Sequence, residues 1–227
     1  MFPIGDDNRG ARGVPIITLI LIGINVLVFL YQATLSLDAL EDFIFTYGMI
    51  PAEIERNQDM FTLLTSMFVH GGWAHIIGNM LFLWVFGDNI ERRFGSIIFI
   101  AFYLLTGLAA SFAHIITNGG STIPSVGASG AISGVLGAYI LLYPTNRVSM
   151  LLGYWGIVRV PAYFFLGFWF VTQLINGVAS LGVETEQTSG VAVWAHIGGF
   201  VAGFVGALVL RFLRPERSEP PRLPLRM

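Results

Sequence analysis

Uncharged apolar runs of helix length constrain this chain more than any other feature. The stretch from Val14 to about Leu37 carries no charged side chain, and a run of about 18 such residues or more is long enough to cross a bilayer as a helix. Several comparable runs follow. Hydrophobic residues make up 55% of the chain and charged residues 11%, against roughly 25% charged in ordinary soluble domains. The expected fold class is therefore an all-α polytopic membrane protein. The first run is long enough to span and lacks a small-residue cleavage site before a soluble domain, so it reads as a span and not as a cleavable signal peptide. Cysteine is absent, which excludes disulfides and thiolate metal sites.

Hydropathy places six spans at about 14–35, 73–90, 96–117, 128–143, 161–181 and 191–212. The second and fourth are short and rich in glycine, which suits helices enclosed by others. The expected organisation is an N-terminal tail over 1–13, a membrane domain over 14–212 and a flexible C-terminal tail over 213–227. Between the first two spans, residues 38–72 mix acids (Asp38, Glu41, Asp42, Glu53, Glu55, Asp59) with apolar Phe43, Ile44, Ile50, Ile54 and Phe61. Such a segment is expected at the membrane interface.

All twelve basic residues are arginine. With a cytoplasmic N-terminus, six spans put every arginine except Arg56 on or near the cytoplasmic side, the bias that orients membrane proteins. Both termini are then expected in the cytoplasm. The loops assigned outside, about 38–72, 118–127 and 182–190, hold eight acids, the six above with Glu184 and Glu186. The tail beyond Arg211, broken by Pro215, Pro220, Pro221 and Pro224, suits a position near anionic lipid and not a nucleic-acid role. No internal repeat of the transporter kind is visible.

In this topology Ser129, within Gly127-Ala128-Ser129-Gly130, lies near the outer end of the fourth span, and His196 lies several residues into the sixth. At about 1.5 Å rise per residue their depths are comparable. Small residues recur every four positions on both helices: Ser129, Ser133 and Gly137 on one, Ala195, Gly199, Gly203 and Ala207 on the other. That spacing lets backbones approach closely. Taken alone, Ser129 reads as a helix cap or packing residue; a histidine at the same depth changes that reading. His75 and Asn79, four apart on one face of the second span, reach a similar depth. Alone they read equally well as a hydrogen-bond pair that holds the bundle.

The chemistry these groups can perform together is acyl transfer. His196 acts as general base toward the Ser129 hydroxyl and then as acid toward the leaving amine, through an acyl-enzyme that water hydrolyses. His75, Asn79 and the Ser129 backbone N–H are donors suited to a developing oxyanion. No acid lies in any span at this depth, so the arrangement is a Ser-His dyad, and its serine requires a hydrated cavity open to the non-cytoplasmic side. The mechanism needs neither metal nor organic cofactor.

These residues resemble the rhomboid family of intramembrane serine proteases. The likeness rests on Gly127-Ala128-Ser129-Gly130, on Ala195-His196-Ile197-Gly198-Gly199 with Gly203 following, and on His70-Gly71-Gly72-Trp73-Ala74-His75-Ile76-Ile77-Gly78-Asn79. Glu91-Arg92-Arg93-Phe94-Gly95 matches the family's charged turn after the second helix. The resemblance covers about 43–206 and implies a compact six-helix bundle whose first loop rests partly in the membrane. It implies Ser129 as nucleophile, His196 as base, and His75 and Asn79 as oxyanion stabilisers, with Gly127, Ala128, Gly130 and Gly199 supporting by backbone and packing. Two departures stand out. Ser133 occupies a position that some members fill with an aromatic support for the histidine, and no Trp-Arg pair lies between Asp38 and Gly72.

Other polar residues take structural readings. His70 braces the loop or caps the second helix, His114 is a packed or interfacial histidine, and Glu91 and Arg93 pair at the cytoplasmic end. Tyr163, Phe164, Phe165, Phe168, Trp169 and Phe170 are expected to face lipid. The implied activity is endoproteolysis in or near transmembrane segments of single-span membrane proteins. A catalytically inactive helix-binding relative and, further off, a channel or transporter are the competing readings. The short tails, with no evident organelle-targeting extension, favour a bacterial plasma membrane; the oligomeric state is left open.

Overall fold

We describe the protein from a computed structural model, which describes residues 2–7, 13–153, 156–180 and 192–213. The chain is mostly helical. Helix α1 (Ile16–Gln32) is followed by a connection holding three short helices: α2 (Leu37–Tyr47), α3 (Pro51–Glu55) and α4 (Thr62–Thr65). Helix α5 (Trp73–Phe82) continues through one π turn (Leu83–Gly87) into α6 (Asp88–Phe94), and α7 (Ser96–Thr117), α8 (Ser129–Leu142), α9 (Ala162–Ser180) and α10 (Val193–Leu213) complete the order. Helices α7, α9 and α10 are long and apolar enough to cross a membrane, whereas α1 and α8 are apolar but shorter.

Helix α8 is the centre of the molecule. Every residue from Gly130 to Tyr139 is buried, so this helix needs no lipid-facing stripe and no full spanning length. Its neighbours lie nearly backbone to backbone. A methyl group on Gly199 would collide with the Gly130 carbonyl, one on Gly203 with the Gly134 carbonyl, and one on Gly137 with the Phe200 carbonyl. With no hydrophobic drive between helices in lipid, such contact gains its energy from dispersion. Around α8 the core collects Leu83, Phe86, Ile90, Phe99, Tyr103 and Leu166.

Helix α1 buries Thr18, Leu21, Asn25, Phe29 and Gln32, one stripe at the three- and four-residue spacing of a helix. Three of these are polar, and each makes at least one hydrogen bond. Thr18 donates from its N–H and its hydroxyl to Glu91 at 2.8 Å each. Asn25 donates to the Leu21 carbonyl at 2.8 Å. Gln32 exchanges two hydrogen bonds with the His70 backbone, at 3.0 and 3.1 Å. Glu91 also accepts from Ile17 N–H and the Ser96 hydroxyl, so this carboxylate ties α1, α6 and α7 together. The neighbouring ion pair joins Arg92 to Asp88.

The connection between α1 and α5 is compact. Met49, Ile54 and Leu63 form a small core with Ile115 of α7. Met49 bridges Ser125, and Ala52 N–H donates to the Ser121 carbonyl, so the segment grips the loop that leads into α8.

The expectation of an all-helical chain is corrected in one place. Residues Phe2–Asp6 form strand β1, which pairs antiparallel with β2 (Arg147–Leu151), itself paired with β3 (Ile157–Pro161). Val148 and Met150 point into the core while Arg147 and Leu151 are exposed, the two-residue alternation of a half-buried strand. Asp6 accepts hydrogen bonds from Tyr139 of α8 and Asn89 of α6, which fixes the amino-terminal strand to the bundle. Arg9, Arg12, Glu184, Glu186 and the tail from 214 onward lie outside the described residues.

Candidate active site

The turn before α8 is shaped by its contacts. Gly127 N–H donates to the Ser66 carbonyl at 2.8 Å, and Gly127 adopts φ +122°, a conformation that favours glycine. Ala128 is the N-cap residue and Ser129 the first residue of the helix. The backbone N–H of a first helical residue has no partner within its own helix. The Ser129 hydroxyl is thus presented beside an N–H that has no partner within its helix.

Helix α10 brings His196 to that hydroxyl. Nε2 of His196 lies 2.8 Å from Oγ of Ser129, and the imidazole is buried. The approach follows from the glycine contact one turn away, where Gly199 meets the Gly130 carbonyl. Ser129, Gly130, His196 and Gly199 therefore share one seam.

Helix α5 closes the third side. A methyl group on Gly127 would lie 2.6 Å from Nε2 of His75 and 3.6 Å from Nδ2 of Asn79, so both side chains face the turn from one helix face. Nδ1 of His75 accepts from Gly71 N–H in a long, 3.4 Å contact, which leaves Nε2 to carry the proton as a donor. Asn79 is buried, and its amide nitrogen has no acceptor among the described residues. An orphaned buried donor costs free energy unless an acceptor arrives. The Gly127–Ser129 turn is thus approached by His75 and Asn79 of α5 and by His196 of α10. Beside it a cavity of about 30 Å³, lined by Ser66, Met67, Ser111, Gly127 and Ser129, is large enough for about two waters.

The residues given structural readings fall elsewhere. His70 is buried, its backbone clamped by Gln32 and its Nδ1 3.3 Å from the Phe68 carbonyl. Burial, and then the neighbouring His75, push its imidazole down to about 4, so it braces the loop as a neutral group. His114 lies beside Asn118 at the end of α7, 3.3 Å from its amide. No cluster of metal-ligating side chains occurs among the described residues. Ser133 spends its hydroxyl on the Ser129 carbonyl at 2.7 Å.

The aromatic run on α9 does not form one lipid-facing surface. Tyr163, Phe164 and Phe168 are exposed, but Phe165, Trp169 and Phe170 turn inward. Phe170 stacks on Phe200, and the Trp169 ring lies 5.9 Å from that of His196. Successive helical residues are about 100° apart, so a run of adjacent aromatics must divide between faces. One turn beyond Trp169, Oε1 of Gln173 lies 2.9 Å from Nδ1 of His196. Gln173 is the site residue that sequence reasoning missed. Amides among the apolar residues of a span, here Gln173 and Asn176, were the available signal.

A family profile described as Rhomboid domain matches residues 57–212. The chain is 31% identical over 199 residues to the rhomboid protease GluP of Bacillus subtilis, covering 88% of this chain and 36% of that protein. It is 30% identical over 169 residues to RHOMBOID-like protein 5 of Arabidopsis thaliana, covering 74% of this chain and 50% of that one. Rhomboid protease AarA of Providencia stuartii is 28% identical over 225 residues, with 92% and 76% covered. The chain thus spans about a third of the first of these relatives and half of the second.

Proposed function

The chain belongs to the rhomboid family of integral membrane proteins, and we propose that it is a serine endopeptidase that cuts membrane-protein substrates within or close to their transmembrane segments. The observation that carries this reading is the 2.8 Å contact between Ser129 Oγ and His196 Nε2 in a buried site. Nε2 takes the hydroxyl proton as the oxygen attacks the scissile carbonyl, and the protonated imidazole returns a proton to the leaving amine. Ser129 N–H, His75 Nε2–H and the Asn79 amide stabilise the oxyanion. Water from the adjoining cavity then hydrolyses the acyl-enzyme.

The orientation follows from the arginine bias: six spans, both termini in the cytoplasm, and a site opening to the other side. The substrates are single-span proteins whose helix unwinds near the cut, so small or helix-breaking residues are expected there. Reconstitution with a single-span reporter tests the reading. Cleavage by the native chain and none by Ser129→Ala is expected, and undiminished cleavage by Ser129→Ala would overturn it.

A further inference from the structure

A dyad without a carboxylate leaves open what sets the imidazole's tautomer and plane. Helix α8 does not supply the support, since the Ser133 hydroxyl is committed to the Ser129 carbonyl. Helix α9 does so with two side chains one turn apart. Trp169 lies against the ring of His196 with centroids 5.9 Å apart and planes at 38°, and Gln173 reaches its edge, Oε1 standing 2.9 Å from Nδ1.

We propose that Gln173 is the positioning residue that fixes the working tautomer of His196, an inference that rests on His196 being the general base. An amide oxygen only accepts, so this contact requires a proton on Nδ1. The lone pair is then on Nε2, directed at the Ser129 hydroxyl. The amide oxygen also stabilises the Nδ1–H when Nε2 takes the serine proton, which is the task a carboxylate performs in a triad. The opposite amide orientation would put the histidine proton on Nε2 and leave no base facing Ser129. Since α9 carries both supports, the competence of His196 depends on this helix being seated against α10.

The test uses the full chain in detergent or bilayers, with histidine nitrogen NMR alongside reporter cleavage. The signal of His196 is identified by its loss in His196→Ala. In the native chain its neutral form is expected as one tautomer, protonated on Nδ1. Gln173→Leu is expected to give mixed tautomers and to lower kcat by about tenfold or more, with KM little changed. Gln173→Glu, which keeps an acceptor at this place, is expected to retain the Nδ1–H tautomer and to recover most of kcat. Three results overturn the proposal: a native His196 protonated on Nε2, a Gln173→Leu chain with native tautomer and kcat, or a folded Gln173→Glu chain as impaired as Gln173→Leu. If His196→Ala still cleaves, the assignment of the base fails; if His196→Ala is inactive and Gln173→Leu is native in both readouts, the positioning role alone fails.

Discussion

The α-carbon of Gly127 stands so close to the His75 imidazole that one added methyl group would lie 2.6 Å from Nε2. The same residue holds a φ of +122°, so a side chain there meets a steric wall and an unfavourable backbone at once. Gly127→Ala is expected to lower reporter cleavage at least about tenfold, because displacing His75 moves a donor of the proposed oxyanion site. Gly167, where an added methyl group would meet nothing within 4 Å beyond its own helix, is the control, and Gly167→Ala should leave the rate unchanged. Native cleavage by Gly127→Ala would mean that His75 does not need its place beside the turn.

The seam between α8 and α10 makes a separate prediction about stability. Gly203→Ala forces a methyl group onto the Gly134 carbonyl, a backbone group and not the end of a flexible side chain. Overpacking of this kind costs about 1–3 kcal/mol. A lowered unfolding midpoint in detergent is expected for Gly203→Ala, whereas Gly167→Ala should hold or raise it through helix propensity. Equal midpoints for the two variants would contradict the close packing.

Glu91 is expected to matter for folding and not for chemistry. It is buried, with four hydrogen bonds from Ile17, Thr18 and Ser96. Hydrogen bonds to a charged group contribute about 1.5–3 kcal/mol each, and partners left without an acceptor add a penalty. Removing the carboxylate also removes its own cost of burial, so Glu91→Ala should cost a net of about 2–4 kcal/mol and loosen α1 first, seen as faster hydrogen exchange in its opening turn. An unchanged exchange pattern there would show that α1 is held by other contacts.

The docking of the amino-terminal strand should depend on pH. Burial pushes the Asp6 carboxyl up from 3.8 to about 6; hydrogen bonds from Tyr139 and Asn89 oppose this, and the Asp88 and Asp7 charges add to it. An acid whose folded value lies above its unfolded one favours the folded state most when protonated, so its contribution is complete below about pH 4 and is lost as pH rises through about 6. Exchange of the β1 and β2 amides should accelerate across that window beyond the intrinsic rise with pH. Asp6→Asn, which can still accept from Tyr139, should flatten the dependence; a variant that keeps the full dependence would assign it to another group.

The site was legible in the sequence to the extent that local motifs carry it. Ser129 and His196 each sit in a short run of small residues, and His75 and Asn79 share a face by spacing alone. The supports of His196 were hidden because they come from tertiary contact: Gln173 and Trp169 meet it only when α9 packs on α10. The aromatic run on α9 misled because adjacent bulky residues suggest one surface, whereas helical rotation turns Phe165 and Phe170 inward. The sheet was missed for a similar reason. β2 alternates recognisably before Gly153 and Gly156, but nothing local in Phe2–Asp6 specifies a partner about 145 residues away in sequence.

Covalent labelling of the full chain by a serine-directed phosphonate tests Ser129 as the nucleophile and needs no knowledge of the substrate. One adduct is expected, on Ser129, and none in Ser129→Ala or His196→Ala. An adduct formed equally by Ser129→Ala, or native labelling in His196→Ala, would contradict it.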